Sequence, residues 1–207
     1  MILHQYWTGS AMPAEFSEFA AGWRLLHPGW EYHLWTDADL PELRNAELFD
    51  RAAELCPGFE AQLRSDVLRY ELLLEYGGVW VDVDFQPLKP IDGLCDVPCF
   101  AAWEIQDRVV NNAILGCEPG NAFMARLVAN LSASVLSGRS IRPSKVSGPH
   151  YVTAQYRGHE DEMTVYPQAW FYAVACNELE RLSKPPAPDE VARHWWNNQH
   201  RMKGRIL

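Results

Sequence analysis

The sequence predicts an α/β fold, a single domain with a mixed central sheet flanked by helices. Three observations carry that expectation. Short apolar runs alternate with stretches of helical spacing through the first half of the chain. A Gly77-Gly78 pair separates the longest helical run from the apolar run that follows it. The second half mixes strand-like and helical segments, with no internal repeat. A chain of 207 residues is about one domain long and able to bury a core.

Taken in order, Ile2 to Tyr6 reads as a short buried strand, and Trp7-Thr8-Gly9-Ser10 as the loop leaving its C-terminal end. Phe16, Phe19, Ala20, Trp23 and Leu26 then recur at helical spacing until Pro28-Gly29 stops them. Trp30 to Trp35 is the second strand. Thr36-Asp37-Ala38-Asp39 is expected to cap the helical region after it, and a second helical pattern covers Ala46 to Leu55. The helix from Phe59 to Tyr76 turns Leu63, Val67 and Leu74 inward and ends on Gly77. Cys99 to Trp103 and Ala113 to Gly116 look like strands. Ala122 to Leu136 is a helix with Met124, Leu127, Val128, Leu131 and Val135 on one face. Ser137 to Pro149, rich in Gly, Ser, Arg and Pro, is expected to be a mobile connection. Tyr151 to Tyr156 fits helix or strand, Met163 to Tyr166 is strand-like, and Lys184 to Pro188 is a proline-rich break.

A net charge of −9 disfavours nucleic acid as a partner. The N-terminus lacks a positively charged head before an apolar stretch, and no window reaches the length of a membrane span. These features predict a cytoplasmic protein without a transmembrane segment, with peripheral attachment at the inner face of a membrane as the variant. Five cysteines at no ligand-like spacing are expected to be reduced, buried thiols. Gly-x-x-x-x-Gly-Lys and Gly-x-Gly-x-x-Gly loops and a nucleophile elbow are absent, so kinase, dehydrogenase and hydrolase readings lack support.

Asp82 and Asp84 follow the apolar run Gly78-Val79-Trp80-Val81. In an extended chain, residues two apart project to the same side, so Val81 and Val83 are expected to face the core and both carboxylates a cavity. Two like charges so close repel unless a cation or a proton intervenes. Oxygen ligands of this kind suit Mg²⁺ or Mn²⁺, which complete their shells with water and substrate phosphates.

Ser65-Asp66-x-x-Arg69-Tyr70 and Tyr76-Gly77-Gly78-Val79-Trp80-Val81-Asp82-Val83-Asp84, followed by Pro87-Leu88-Lys89-Pro90, resemble the DXD-containing glycosyltransferases of family 32. The same stretch is more distantly similar to the large glucosylating bacterial toxins. The likeness begins at His4-Gln5-Tyr6-Trp7-Thr8-Gly9 and continues through Pro28 to Asp37, covering about the first half of the chain. It implies a GT-A-like nucleotide-binding fold, with donor and metal at the C-terminal ends of the central strands. Residues 1–90 would form the donor and metal half, and residues 91–207 the acceptor side and a C-terminal lid.

The resemblance also implies roles for single residues. Trp7 would lie against the nucleotide base, with Thr8 and Gly9 letting the backbone approach; a Trp packed at the sheet rim is the plainer alternative. Thr36 and Asp37 would bond ribose or base, or simply cap a helix. Asp66 and Arg69, three apart on one helix face, would hold the donor sugar, or form an ordinary intrahelical ion pair. Asp82 and Asp84 would ligate the metal. Glu104, Asn111 and Asn112 flank the strand where an acceptor would lie, and Gly148-Pro149-His150 resembles a family turn near the donor. His194-Trp195-Trp196-Asn197-Asn198 resembles the family's closing C-terminal element. Asn198 and Gln199 stand where Ser and Trp are expected, so Asn198 would offer its carbonyl oxygen to the metal and His194 its imidazole to a phosphate. An aromatic tail docked on the sheet explains the same residues.

The implied activity is metal-dependent transfer of a hexose from a nucleotide-diphosphate sugar, a UDP- or GDP-hexose, to a hydroxyl on a glycan, a lipid-linked acceptor or a protein. Catalytic work would fall to Asp66, Arg69 and Asp84, with retention of anomeric configuration, in bacterial glycan or polysaccharide biosynthesis. The alternative is a catalytically inactive sugar-nucleotide or glycan-binding protein of the same fold.

Overall fold

The computed structural model describes residues 1–9 and 11–197. In chain order it contains β1 (Ile2–Tyr6), α1 (Ala14–Leu26), β2 (Glu31–Trp35), α2 (Ala46–Asp50), α3 (Ala52–Leu55), α4 (Glu60–Tyr76), β3 (Gly78–Val81) and β4 (Phe85–Pro87). There follow β5 (Cys99–Ile105), β6 (Val109–Cys117), α5 (Ala122–Val135), α6 (Pro143–Val146), α7 (Pro149–Tyr156), β7 (Thr164–Tyr166), α8 (Gln168–Phe171) and β8 (Ala192–His194).

Six strands form the main sheet in the order β2-β1-β3-β6-β5-β7, and β4 pairs with β8 in a two-stranded ladder. Strands β2, β1 and β3 run parallel, β6 is antiparallel to β3 and to β5, and β7 is parallel to β5. The mixed sheet expected from the sequence is therefore present. Its directions decide where chemistry can gather. The C-terminal ends of β2, β1, β3, β5 and β7 and the N-terminal end of β6 all open on one edge.

Strand β3 sits between β1 and β6 and is buried throughout. Its side chains alternate across the sheet. Trp80 joins the core under α4 and α5 with Leu63, Val67 and Leu127, whereas Val79 and Val81 join the opposite core with Leu3, Trp23 and Phe171. Helix α4 ends on Gly77 at φ +62°, whose N–H donates to Leu73 O at 2.9 Å. Gly78 follows at φ +90°, and a Cβ there would lie 2.3 Å from the carbonyl oxygen of Ile2. The glycine pair is thus required twice, to leave the helix left-handed and to let β3 lie against β1.

Several expectations change, and one open segment is resolved. Residues 36–39 form a turn and cap no helix: Asp39 Oδ1 accepts from Thr36 N–H and Thr36 Oγ1 at 2.6 and 2.8 Å, and the next helix begins at Ala46. The 82–85 segment is also a turn, in which Phe85 N–H donates to Asp82 O at 3.0 Å, so Val83 is only half-buried and does not enter the core. The 137–149 connection is structured in its second part, where α6 forms and Ser147 is fully buried. The ambiguous 151–156 segment belongs to helix α7. Cys56, Cys99 and Cys117 are buried as expected, but Cys95 and Cys176 are only half-buried. Among the described residues no helix is long and apolar enough to cross a membrane.

Candidate active site

The site is built outward from α4. Asp66 and Arg69 lie one turn apart on its inward face, 5% and 3% exposed, with Arg69 Nε 3.4 Å from Asp66 Oδ1. A bare buried carboxylate is costly, and this one is held on several sides. Asp66 Oδ1 accepts from Asn112 Nδ2 and Oδ2 accepts from Ser147 Oγ, both at 2.7 Å. The same Asn112 amide donates to Tyr70 Oη at 2.8 Å, and that hydroxyl donates to Ser147 O at 2.5 Å. Gly148 borders Asp66: a Cβ there would sit 3.4 Å from Asp66 Oδ2 and 3.1 Å from Ser144 Cα. Burial pushes the Asp66 carboxyl up, and Arg69, Ser147 and Asn112 pull against it.

Arg69 links this cluster to the acidic pair after β3. Its Nη2 lies 3.0 Å from Asp82 Oδ1 and donates to Ser65 Oγ at 2.8 Å, and its Nη1 donates to the carbonyl of Asn112. Trp80 Nε1 donates to the same Asp82 oxygen at 2.8 Å. Burial nevertheless raises the Asp82 carboxyl, against Arg69 and with the adjacent Asp84.

Asp84 faces the other way. Its Oδ1 is 3.2 Å from His194 Nε2, and its Oδ2 accepts from the backbone N–H of Asn197 at 2.9 Å. The β4–β8 ladder makes this possible, because Phe85 is registered opposite His194. The tail is packed through residue 197. Trp195 N–H donates to Asp84 O at 2.9 Å, Trp195 Nε1 to Gln86 Oε1 at 3.1 Å, and Trp196 Nε1 to Val174 O at 2.8 Å. His194 thus meets the second aspartate of the pair, where the sequence assigned it to a phosphate. Asn198, assigned to the metal, lies outside the described residues.

Asp82, Asp84 and His194 present ligand atoms all within 4.8 Å of one another. Two carboxylates and an imidazole form a donor set that suits a first-row divalent cation such as Mn²⁺. The electrostatics fit as well. One carboxyl of the pair is held up and the other down, as expected of two like charges that need a shared cation or proton.

Burial, the largest single influence, would lower the His194 imidazole, but Asp84, with Asp82 and Glu104 behind it, outweighs burial and raises the group above the usual 6.5. Burial alone would raise Asp84, yet His194 and the Asn197 N–H bring it below 3.8. A raised histidine stabilises the fold fully below its unfolded value, about pH 6.5, and the stabilisation is lost as pH rises through the folded value. The carboxylate's share is lost instead as pH falls below about 3.8 through its own folded value. In EDTA, the melting temperature is expected to fall as pH rises through and beyond neutrality, and His194→Gln is expected to flatten that slope. Superimposable profiles would remove the pair from the stability of the fold.

The remaining candidates stand along the same edge. Trp7 follows β1 and is half-exposed, its ring 6.2 Å from that of Phe16 and its backbone N–H donating to Trp35 O at 3.0 Å. Asp37 follows β2, where it accepts from Tyr6 Oη at 2.5 Å and Thr8 Oγ1 at 2.7 Å, with Arg64 Nη1 3.7 Å away. Thr8 and Asp37 are therefore brought together, whereas Thr36 turns to Asp39. Glu104, near the end of β5, accepts from Asn111 Nδ2 at 2.9 Å, and burial raises its carboxyl. Trp7→Ala is expected to weaken nucleotide binding by roughly 1 to 3 kcal/mol, as loss of a stacking platform does. Isothermal titration with nucleoside diphosphates measures it, and unchanged affinity would leave Trp7 a rim residue.

Sequence reasoning missed Ser147, Trp80 and Tyr172 as members of this region. Only Trp80 carried a signal, standing two residues before Asp82.

A family model described as "Glycosyltransferase sugar-binding region containing DXD motif" matches residues 13–108. The chain is 29% identical over 138 residues to inositol phosphoceramide mannosyltransferase 3 of Schizosaccharomyces pombe, covering 63% of this chain and 36% of that protein. It is 30% identical over 141 residues to inositol phosphoceramide mannosyltransferase 2 of the same yeast, covering 66% and 39%. The chain therefore spans well under half the length of these relatives. Among solved structures, the PaToxG glycosyltransferase aligns with a TM-score of 0.61 at 13% identity, over 76% of this chain and 68% of that one. The galactosyltransferase LgtC, solved with donor and acceptor sugar analogues, aligns at 0.51 and 13%, over 94% and 87%. At such identities these likenesses speak for the fold, which is that of GT-A glycosyltransferases.

Proposed function

We infer that this chain, which carries a DXD-containing glycosyltransferase sugar-binding region on a GT-A fold, transfers a hexose from a nucleotide-diphosphate sugar to a hydroxyl acceptor. The observation that carries the inference is the buried Arg69, which joins Asp66 on one side to the Asp82, Asp84 and His194 group on the other. A sugar site and a diphosphate site are thereby tied through one guanidinium. The names of the curated relatives favour mannose as the hexose, and a hydroxyl of an inositol phosphoceramide lipid as the acceptor.

Asp82, Asp84 and His194 would hold a divalent cation, Mn²⁺ before Mg²⁺ because of the imidazole. That cation would supply charge neutralisation for the departing diphosphate. Asp66, fixed by Ser147 and Asn112, accepts from hydroxyls of the donor sugar. Arg69 donates toward the sugar-phosphate side and holds Asp66 and Asp82 in register, so positioning is the main catalytic contribution. In the transfer, the bond from the anomeric carbon to the diphosphate oxygen breaks and a bond to the acceptor oxygen forms. The acceptor proton leaves with the diphosphate. Substitution on the same face, with retention, is the course that the resemblance to family 32 implies.

The test is a screen of GDP-mannose, UDP-glucose and other nucleotide sugars with Mn²⁺, following thermal stabilisation and slow release of nucleoside diphosphate. Stabilisation with release is the expected result. Stabilisation without release would make the chain a sugar-nucleotide binder, and neither response would end the donor reading.

A further inference from the structure

Among the described residues, three buried side-chain polar atoms have no hydrogen-bond partner, and two of them, the Tyr172 hydroxyl and His194 Nδ1, stand beside the site. Tyr172 follows α8 and is 1% exposed. Its ring lies edge-on to Phe85 and His194, at 5.5 and 5.6 Å between centroids, and tilted against Trp196 at 5.8 Å. A phenylalanine would make those contacts equally well. The hydroxyl is the part that packing does not use, and a buried donor without an acceptor is destabilising.

Its surroundings are ionic. Burial is the main cause that keeps the phenol protonated, and the charges of Asp82, Glu104 and Asp84 act in the same direction against Arg69. The hydroxyl is thus a donor in the field of three carboxylates, none of which it reaches. An acceptor entering between the phenol and the acidic group would supply the missing partner. Two of these neighbours, Asp82 and Asp84, form the acidic pair on the far side of Arg69 from Asp66, the side assigned above to the diphosphate, and Asp66 is not among the charges that act on the phenol.

We propose that Tyr172 is a substrate-binding residue whose hydroxyl donates to an oxygen of the donor's diphosphate. The inference rests on the glycosyltransferase reading and adds to it a residue contributed from beyond β7. A hydroxyl left unpaired in the ligand-free protein becomes paired on binding, so the interaction favours the bound state.

The experiment compares the full chain with Tyr172→Phe by isothermal titration with GDP and with UDP, each in MnCl₂, alongside the melting temperature without ligand. The variant is expected to bind whichever nucleotide the wild type binds roughly tenfold more weakly, as loss of one charge-assisted hydrogen bond does. Its ligand-free melting temperature is expected to be unchanged or higher, because no contact is lost. Equal affinity would overturn this inference alone. A lowered ligand-free melting temperature would overturn it too, since the hydroxyl would then have a partner within the fold. A wild type that binds neither nucleotide would overturn the donor reading and this inference with it.

Discussion

Asp84→Ala is expected to reduce transfer by on the order of 10³-fold or more, the scale on which loss of a group stabilising transition-state charge is felt. It should also remove the Mn²⁺-dependent stabilisation by nucleoside diphosphate. At a ligand concentration one hundred times the dissociation constant, that stabilisation is about 2.7 kcal/mol. The substitution is not silent in the ligand-free fold. Asp84 holds His194 Nε2 and the Asn197 N–H, so alanine leaves one buried and one half-buried donor unanswered. His194 can shed its proton, which limits the damage, and Asp84→Asn preserves one acceptor as a control. Full turnover in the alanine variant, or in excess EDTA, would sink the metal reading whatever the melting temperature did.

Arg69→Met should have the largest effect on stability. The guanidinium is the compensating charge for Asp66 and for Asp82, and methionine fills much of its volume without charge. Removing one partner from a buried ionic group costs about 3 to 5 kcal/mol. Urea denaturation should show that loss as a lower midpoint at unchanged slope. An arginine variant that loses activity is therefore no clean probe of sugar binding. Asp66→Asn is cleaner, since it keeps the size of the side chain and still allows a bond from Ser147. It should lose transfer while retaining affinity for free nucleoside diphosphate. Equal loss of nucleotide and nucleotide-sugar affinity would move Asp66 out of the sugar site, and an Arg69→Met protein as stable as wild type would show the bridge to be dispensable.

What was legible in the sequence follows from how local each signal is. The stretch from α4 through Gly77-Gly78 to the aspartates reads directly, because helix period, left-handed exit and buried strand fall within one continuous segment. Asp66 and Arg69 were legible for the same reason, one helical turn apart. Reading fails where partners are remote. Ser147 sits in a Gly-, Ser- and Arg-rich stretch with the composition of a loop, and only its place beneath Asp66 distinguishes it. His194 meets Asp84 through a three-residue strand whose partner lies far back in the chain, and no periodicity marks so short an element. Thr36 to Asp39 misled because a residue suited to capping a helix closes a tight turn equally well. An extended chain would turn both aspartates to one side, whereas this chain turns at Asp82 and sends the pair toward different partners, Arg69 and His194.

The ladder of β4 with β8 also sets an order in time. Asp84 and Asn197 are separated by 113 residues. At about 5 to 20 residues per second, a ribosome spends roughly 5 to 20 s between delivering the aspartate and delivering the strand that answers it. Throughout that interval the segments of helix α4 and strand β3 have been synthesised, while the acidic turn after them lacks its partner from β8. Cation capture would then be among the last events of biogenesis, open to the chain only after nearly all of the described fold has been synthesised.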